Sequence, residues 1–168
     1  MLGVIFLKRS WLSDQNKIFK RFSIFTETRL PMWFISFPEG SRFSAEKQAK
    51  SAQFCKENNY PPLKNVLFPR SKGFLATVNA LRDSHVKYFY DVTIAYYHPE
   101  KGFGQLPTIM DIHLFGVKEE TKYFIHIKKY SMDSLPKDDA KLSTWLFDRF
   151  YEKDPIIAKW KDSMSKNK

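Results

Sequence analysis

The stretch Trp33-Phe34-Ile35-Ser36-Phe37 is apolar and aromatic, and it breaks at Pro38-Glu39-Gly40-Ser41-Arg42. Such a run predicts a buried strand ended by a proline and a glycine. It leaves a carboxylate, Glu39, and a guanidinium, Arg42, three positions apart at the strand's carboxyl end. Open α/β sheets handle ligands there, because the crevice lies outside the carboxyl ends of the strands. Arg42 is planar and permanently charged, which suits bidentate capture of a phosphate. Glu39 can orient that arginine or accept a hydrogen bond from a substrate hydroxyl. Taken alone, these residues read more readily as a surface turn with a chance ion pair. The rest of the chain tips the balance.

Leu2 to Leu7 reads as a short strand ending at Lys8-Arg9. Asp14 caps a helix with Ile18, Phe22 and Phe25 on one face, closed by Pro31. After the strand Trp33 to Phe37, a second helix begins near Ser44 and ends at Asn58-Asn59. Ala45, Ala49 and Ala52 form a stripe along it. Val66 to Phe68 predicts another strand, running through Pro69-Arg70-Ser71-Lys72-Gly73 into a helix from Phe74 to Arg82. Tyr88 to Tyr97 is β-branched and aromatic, and Ile109 to Phe115 and Tyr123 to Tyr130 alternate, so three strands follow. In the last of them Tyr123, Ile125 and Ile127 share one side. A final helix starts at Asp138 with Leu142, Trp145, Leu146 and Phe150 on its inner stripe. The expected fold is an α/β domain with a mixed, largely parallel sheet flanked by helices. The expected domain covers residues 1–153, with a basic tail over 154–168.

At 168 residues the chain suffices for one domain that buries roughly two-thirds of its unfolded surface. The 28 Lys and Arg against 18 Asp and Glu give a net charge of +10, which favours anionic partners. Each basic residue near an anionic membrane gains about 1 kcal/mol, so peripheral contact with such a surface is expected. No uncharged run exceeds nine residues, against about 20 for a spanning helix. The single cysteine, Cys55, excludes an internal disulfide and reads as an ordinary reduced thiol. His85, His98, His113 and His126 lack metal-binding spacing, so no metal is expected. The aromatic residues fall on faces read as buried, which argues against a stacking platform and against a nucleic-acid partner.

Three expected strand ends carry basic groups: Lys8-Arg9, Arg42, and Arg70 with Lys72. If the first three strands are neighbours in one parallel sheet, these cations converge on one edge. Gly40 and Gly73 would then let backbone N–H groups approach a phosphate. A solvated basic face competes as an explanation. It fits Lys128-Lys129 and Lys159 to Lys168 well, and fits poorly where each cation follows an apolar run and is flanked by Pro or Gly.

In order along the chain, these segments resemble the glycerophosphate acyltransferase superfamily. The branch most similar is that of the eukaryotic 1-acylglycerol-3-phosphate and lysocardiolipin or lysophosphatidylinositol acyltransferases. Gly3-Val4-Ile5-Phe6-Leu7-Lys8-Arg9-Ser10-Trp11 with Asp14 resembles the family's second block, whose arginine helps to hold the glycerol phosphate. Phe37-Pro38-Glu39-Gly40-Ser41-Arg42-Phe43 is similar to the third block, Phe-Pro-Glu-Gly-Thr-Arg, with the hydroxyl kept at Ser41. Asn65 to Phe74 resembles that branch's Leu-x-Pro-Arg-x-x-Gly-Phe segment, and Tyr90-Asp91-Val92-Thr93-Ile94-Ala95-Tyr96 the strand after it. His126-Ile127-Lys128-Lys129 and Leu135-Pro136 also have counterparts.

The resemblance implies transfer of an acyl group from acyl-CoA to a lysophosphatidic acid-type acceptor, with acyl-CoA as co-substrate and no bound cofactor. Arg9, Glu39, Gly40, Ser41, Arg42, Arg70 and Lys72 are the implied acceptor-binding residues. In the family a histidine takes the acceptor hydroxyl's proton and an aspartate, separated from it by four residues, orients it. No histidine of this chain has that aspartate, so the expectation is an N-terminally truncated domain carrying the acceptor-binding half and nearly inactive alone. The alternative is a non-catalytic truncated paralogue that binds phospholipid head groups or a membrane surface. Endoplasmic-reticulum or lipid-droplet membranes are the implied location.

Overall fold

The computed structural model describes residues 20, 22–29, 31, 33–98, 100, 102–104, 110, 113–114 and 121–166. Residues 22–28 are helical, and Phe22 points into the core. Helix α1 (Ala45–Glu57) starts because Ser44 Oγ accepts a hydrogen bond from Lys47 N, 3.3 Å away. It stops at Asn58 and Asn59, the latter at φ +58°, just before Pro61-Pro62. Cys55 is its one buried residue, and the stripe of Ala45, Ala49 and Ala52 faces largely outward. Helix α2 (Ser71–Leu81) buries Phe74, Ala76, Val78 and Leu81.

The sheet consists of β1 (Tyr88–His98), β2 (Gly102–Phe103) and β3 (Lys122–Ser131), in the order β2-β1-β3. Both pairings are antiparallel, with Val92 opposite Ile127 and Ile94 opposite Ile125. Helix α3 (Asp139–Ser165) begins where Asp138 Oδ1 accepts from Lys141 N at 2.9 Å. Of its buried residues, Leu142, Leu146, Phe150 and Ile157 pack with Phe22, Phe74 and Val78 in one core. Trp145 joins helix to sheet by stacking on Phe74 at 6.0 Å and meeting Phe89 edge-on at 5.7 Å.

Several expectations are corrected here. Trp33 to Phe37 is not a buried strand: it has no regular structure, and Trp33, Ile35 and Phe37 are 86, 72 and 81% exposed. Val66 to Phe68 is a loop. A strand exists only where a neighbour supplies its backbone partners, and neither segment has one among the described residues. The parallel sheet therefore gives way, among those residues, to an antiparallel one. The strand expected at Leu2 to Leu7 lies outside the described residues. Within Ile109 to Phe115, the described residues Met110, His113 and Leu114 are helical.

The two faces of the sheet differ in burial. Tyr123, Ile125 and Ile127 face outward with Val92 and Ile94, and the face turned to α3 carries Phe89, Thr93, Ala95 and Phe124. Aromatic burial consequently fails at Trp33, Phe37, Tyr88, Tyr90 and Tyr123, which are exposed. The segment expected as a tail is helix: α3 continues through Pro155, and Ile157 and Met164 bury beyond it. Proline removes one helical hydrogen bond, and burial of these two side chains offsets that loss.

Candidate functional site

Phe37 to Gly40 form a tight turn closed by Gly40 N donating to Phe37 O at 2.9 Å. Pro38 presets the φ that such a turn needs at its second position, and Gly40 takes φ +67° at its end. The turn is sewn to the loop ahead of α2. Arg70 N donates to Pro38 O at 2.8 Å, and Leu67 N donates to Glu39 Oε2 across a long 3.4 Å. A Cβ at Gly40 would lie 3.4 Å from Arg70 Cδ and 3.5 Å from its Nε. The Arg70 side chain thus runs directly across Gly40.

That second loop is itself held firmly. The Phe68 ring lies 4.8 Å from Tyr60, 4.7 Å from Phe147 and 5.6 Å from Phe54, while Phe68 N donates to Ser51 Oγ at 2.8 Å. Gln48 Nε2 donates to Leu63 O at 3.0 Å. Asp154 Oδ1 accepts from Lys64 N at 2.9 Å and Asn65 N at 2.6 Å. Arg70 is therefore presented on a backbone fixed from both α1 and α3.

The structure brings Glu39, Gly40 and Arg70 together and places Ser41 and Arg42 immediately after them, with Arg42 exposed. Lys72 is exposed in the first turn of α2. Arg9 lies outside the described residues. Among the described residues no group of His, Cys, Asp and Glu could hold a metal ion. A cleft of about 630 Å³ lined by Asn79, Arg82, Asp83, Asp133 and Lys137 lies at the far end of α2, away from this cluster.

Glu39 is partly buried, and burial raises its pKa, opposed by the Leu67 N–H and by the Lys153 ammonium. Sequence reasoning missed Lys153. Its Nζ pairs with Asp91 Oδ1 at 2.5 Å, both side chains only 12% exposed, and donates to Val92 O at 3.2 Å. A signal existed in Asp91, a charge in the middle of an apolar strand, since a buried charge demands a partner. On the surface, Lys128 and Arg149 both pair with Glu152, which lowers the pKa of Glu152 through the Lys128 hydrogen bond first.

Comparison with known proteins bears on this arrangement. The family described as "Acyltransferase C-terminus" matches residues 113–166, which include β3 and α3. A "Probable 1-acyl-sn-glycerol-3-phosphate acyltransferase 5" of Arabidopsis thaliana is 31% identical over 151 residues, covering 90% of this chain and 38% of that protein. The mouse 1-acyl-sn-glycerol-3-phosphate acyltransferase gamma is 30% identical over 160 residues, covering 95% of this chain and 40% of its own length. The chain belongs to the glycerophosphate acyltransferase superfamily. The mouse epsilon enzyme of this superfamily is 29% identical over 96% of the chain and 45% of its own length. The chain thus spans about two-fifths of the length of these superfamily relatives. No solved structure matches it.

For a member of this superfamily the geometry has a definite chemical capacity. The Arg70 side chain lies across Gly40, and Arg42 follows two positions further along the chain, exposed. Arg70 is also the N-cap residue of α2 and makes no side-chain cap there. An anion between these groups gains charge-assisted hydrogen bonds and the favourable end of the helix dipole. No helix among the described residues is long and apolar enough to cross a membrane.

Proposed function

We propose that this chain supplies the acceptor-binding part of a lysophospholipid acyltransferase, one that moves an acyl group from acyl-CoA to a lysophosphatidic acid-type acceptor. The observation that carries the proposal is Arg70 lying across Gly40 in the Pro38-Glu39-Gly40-Ser41-Arg42 turn. Arg42, Arg70 and Lys72 hold the acceptor's phosphate, with Arg9 as a further ligand, and Ser41 and the Gly40 backbone complete the cradle. Fixing the phosphate fixes the free glycerol hydroxyl. That hydroxyl loses its proton as its oxygen attacks the thioester carbonyl, and the coenzyme A thiol leaves. Positioning of this kind supplies part of the proximity term in catalysis. The names of the relatives support the reaction class.

The reading also explains the charge. A net +10 suits a phosphate-bearing lipid and peripheral contact with an anionic bilayer of the endoplasmic reticulum or a lipid droplet. Superfamily membership, rather than burial of the aromatics, is what argues against nucleic acid. One observation bears on a second reading: no histidine in these residues is separated by four residues from a following aspartate. For these 168 residues that reading is head-group binding without transfer. Incubating the chain with labelled acyl-CoA and lysophosphatidic acid tests what the two readings share. Binding with negligible product formation is expected of the 168 residues alone, and failure to bind the acceptor defeats both readings.

A further inference from the structure

Glu39 sits in the motif that the acceptor site is built on, yet its contacts run inward. Its Oε2 accepts from Leu67 N at 3.4 Å, and the carboxylate lies close enough to Lys153 for that ammonium to oppose its burial. Lys153 is anchored by Asp91 and by Val92 O, so the positive charge beneath the turn is fixed by β1 and α3. The adjacent residue, Asp154, ties down Lys64 and Asn65 at the start of the Arg70 loop. Asp154 thus holds the Arg70 loop directly, and Lys153 next to it acts on the Glu39 carboxylate of the turn through its charge.

We infer that Glu39 is a positioning residue rather than a head-group ligand. It joins the Phe37–Arg42 turn to the Arg70 loop, with Lys153 of α3 as its counter-charge, and so sets where Arg70 lies over Gly40. The inference rests on the acceptor-site reading only for its consequence in binding; the tether itself is a property of the fold. A neutral amide at position 39 still accepts from Leu67 N and needs no counter-charge, whereas a methyl group does neither. A carboxylate that touches a substrate hydroxyl behaves differently, because Gln and Ala then both lose the charged acceptor.

The test uses the full chain as wild type, Glu39→Gln, Glu39→Ala, Lys153→Met and the Glu39→Gln/Lys153→Met double variant. Amide hydrogen exchange is followed in peptides covering 37–42 and 66–71 and in β1, beside calorimetric titration with lysophosphatidic acid. Glu39→Gln should leave loop exchange and affinity within about threefold of wild type, while Glu39→Ala raises exchange in both loops and weakens binding by about tenfold. Lys153→Met should loosen both loops and β1. Adding Glu39→Gln should restore the loops but not β1, where Asp91 has still lost its partner. Unchanged loop exchange in Lys153→Met overturns the inference, as does a Glu39→Gln variant with wild-type exchange and lost binding. Failure of the wild type to bind lysophosphatidic acid defeats the acceptor-site reading, and the exchange results then decide the tether by themselves.

Discussion

Asp154 and Asn65 hold each other twice: Asn65 N donates to Asp154 Oδ1 at 2.6 Å, and Asn65 Nδ2 donates to the Asp154 main-chain oxygen at 3.2 Å. The same carboxylate oxygen takes Lys64 N. A charged acceptor serving two main-chain donors is worth about 2–3 kcal/mol, so Asp154→Ala should lower the melting temperature by roughly 5–10 °C. Asp154→Asn keeps an acceptor oxygen and should lose about half as much. Scanning calorimetry measures both.

The two turn-associated glycines should respond in opposite directions. Gly40 holds φ +67°, and a Cβ there meets the Arg70 side chain at 3.4 Å. Gly40→Ala should cost about 1–2 kcal/mol and displace Arg70, weakening acceptor binding as well. Gly73 sits in α2 with nothing within 4 Å of an added Cβ. Gly73→Ala should therefore stabilise by about 0.5–1 kcal/mol through helix propensity. Urea unfolding of both variants checks the pair; a stabilised Gly40→Ala chain would refute the turn geometry.

Burial raises the pKa of Glu39 in the folded chain. Between the unfolded and folded values the native state binds more protons, so this group makes stability fall as pH rises through that window. Above the window the chain carries the cost of an ionised, partly buried carboxylate. Glu39→Gln should accordingly be more stable than wild type at pH 7, and the gain should vanish below the ordinary carboxylate value. Urea midpoints at pH 7 and pH 4 give the comparison.

Cys55 is fully buried, and burial raises its pKa. The thiolate is the reactive form, so the native chain should react with a disulfide reagent at least about a hundredfold more slowly than the urea-unfolded chain. Rapid labelling under native conditions would show that α1 opens readily.

Helix ends were legible because caps are local: Ser44 and Asp138 mark their helices, and Asn58-Asn59 ends one. The strands over 88–98 and 122–131 were legible from β-branched and aromatic content. Trp33 to Phe37 misled because composition reports what a strand could bury, not whether a neighbour exists to pair with it. Alternation in β3 identified its two faces without telling which one meets α3, a matter of long-range packing. The basic stretch over 154–168 is helical as far as Ser165, since buried Ile157 and Met164 override Pro155 as a local helix breaker. In the site, Glu39, Gly40 and Arg70 meet through contacts between two loops, not through the neighbouring strand ends that the sequence suggested. Lys153 and Asp154 were not legible, because their partners lie 61 to 90 positions away along the chain.

The phosphate cradle is tested most directly by calorimetric titration of lysophosphatidic acid into wild type, Arg42→Ala and Arg70→Ala, with circular dichroism confirming that each is folded. Each lost guanidinium removes a charge-assisted hydrogen bond worth about 1.5–3 kcal/mol, so affinity should fall by roughly tenfold to a hundredfold in each variant. Wild-type affinity in both folded variants would show that the phosphate binds elsewhere.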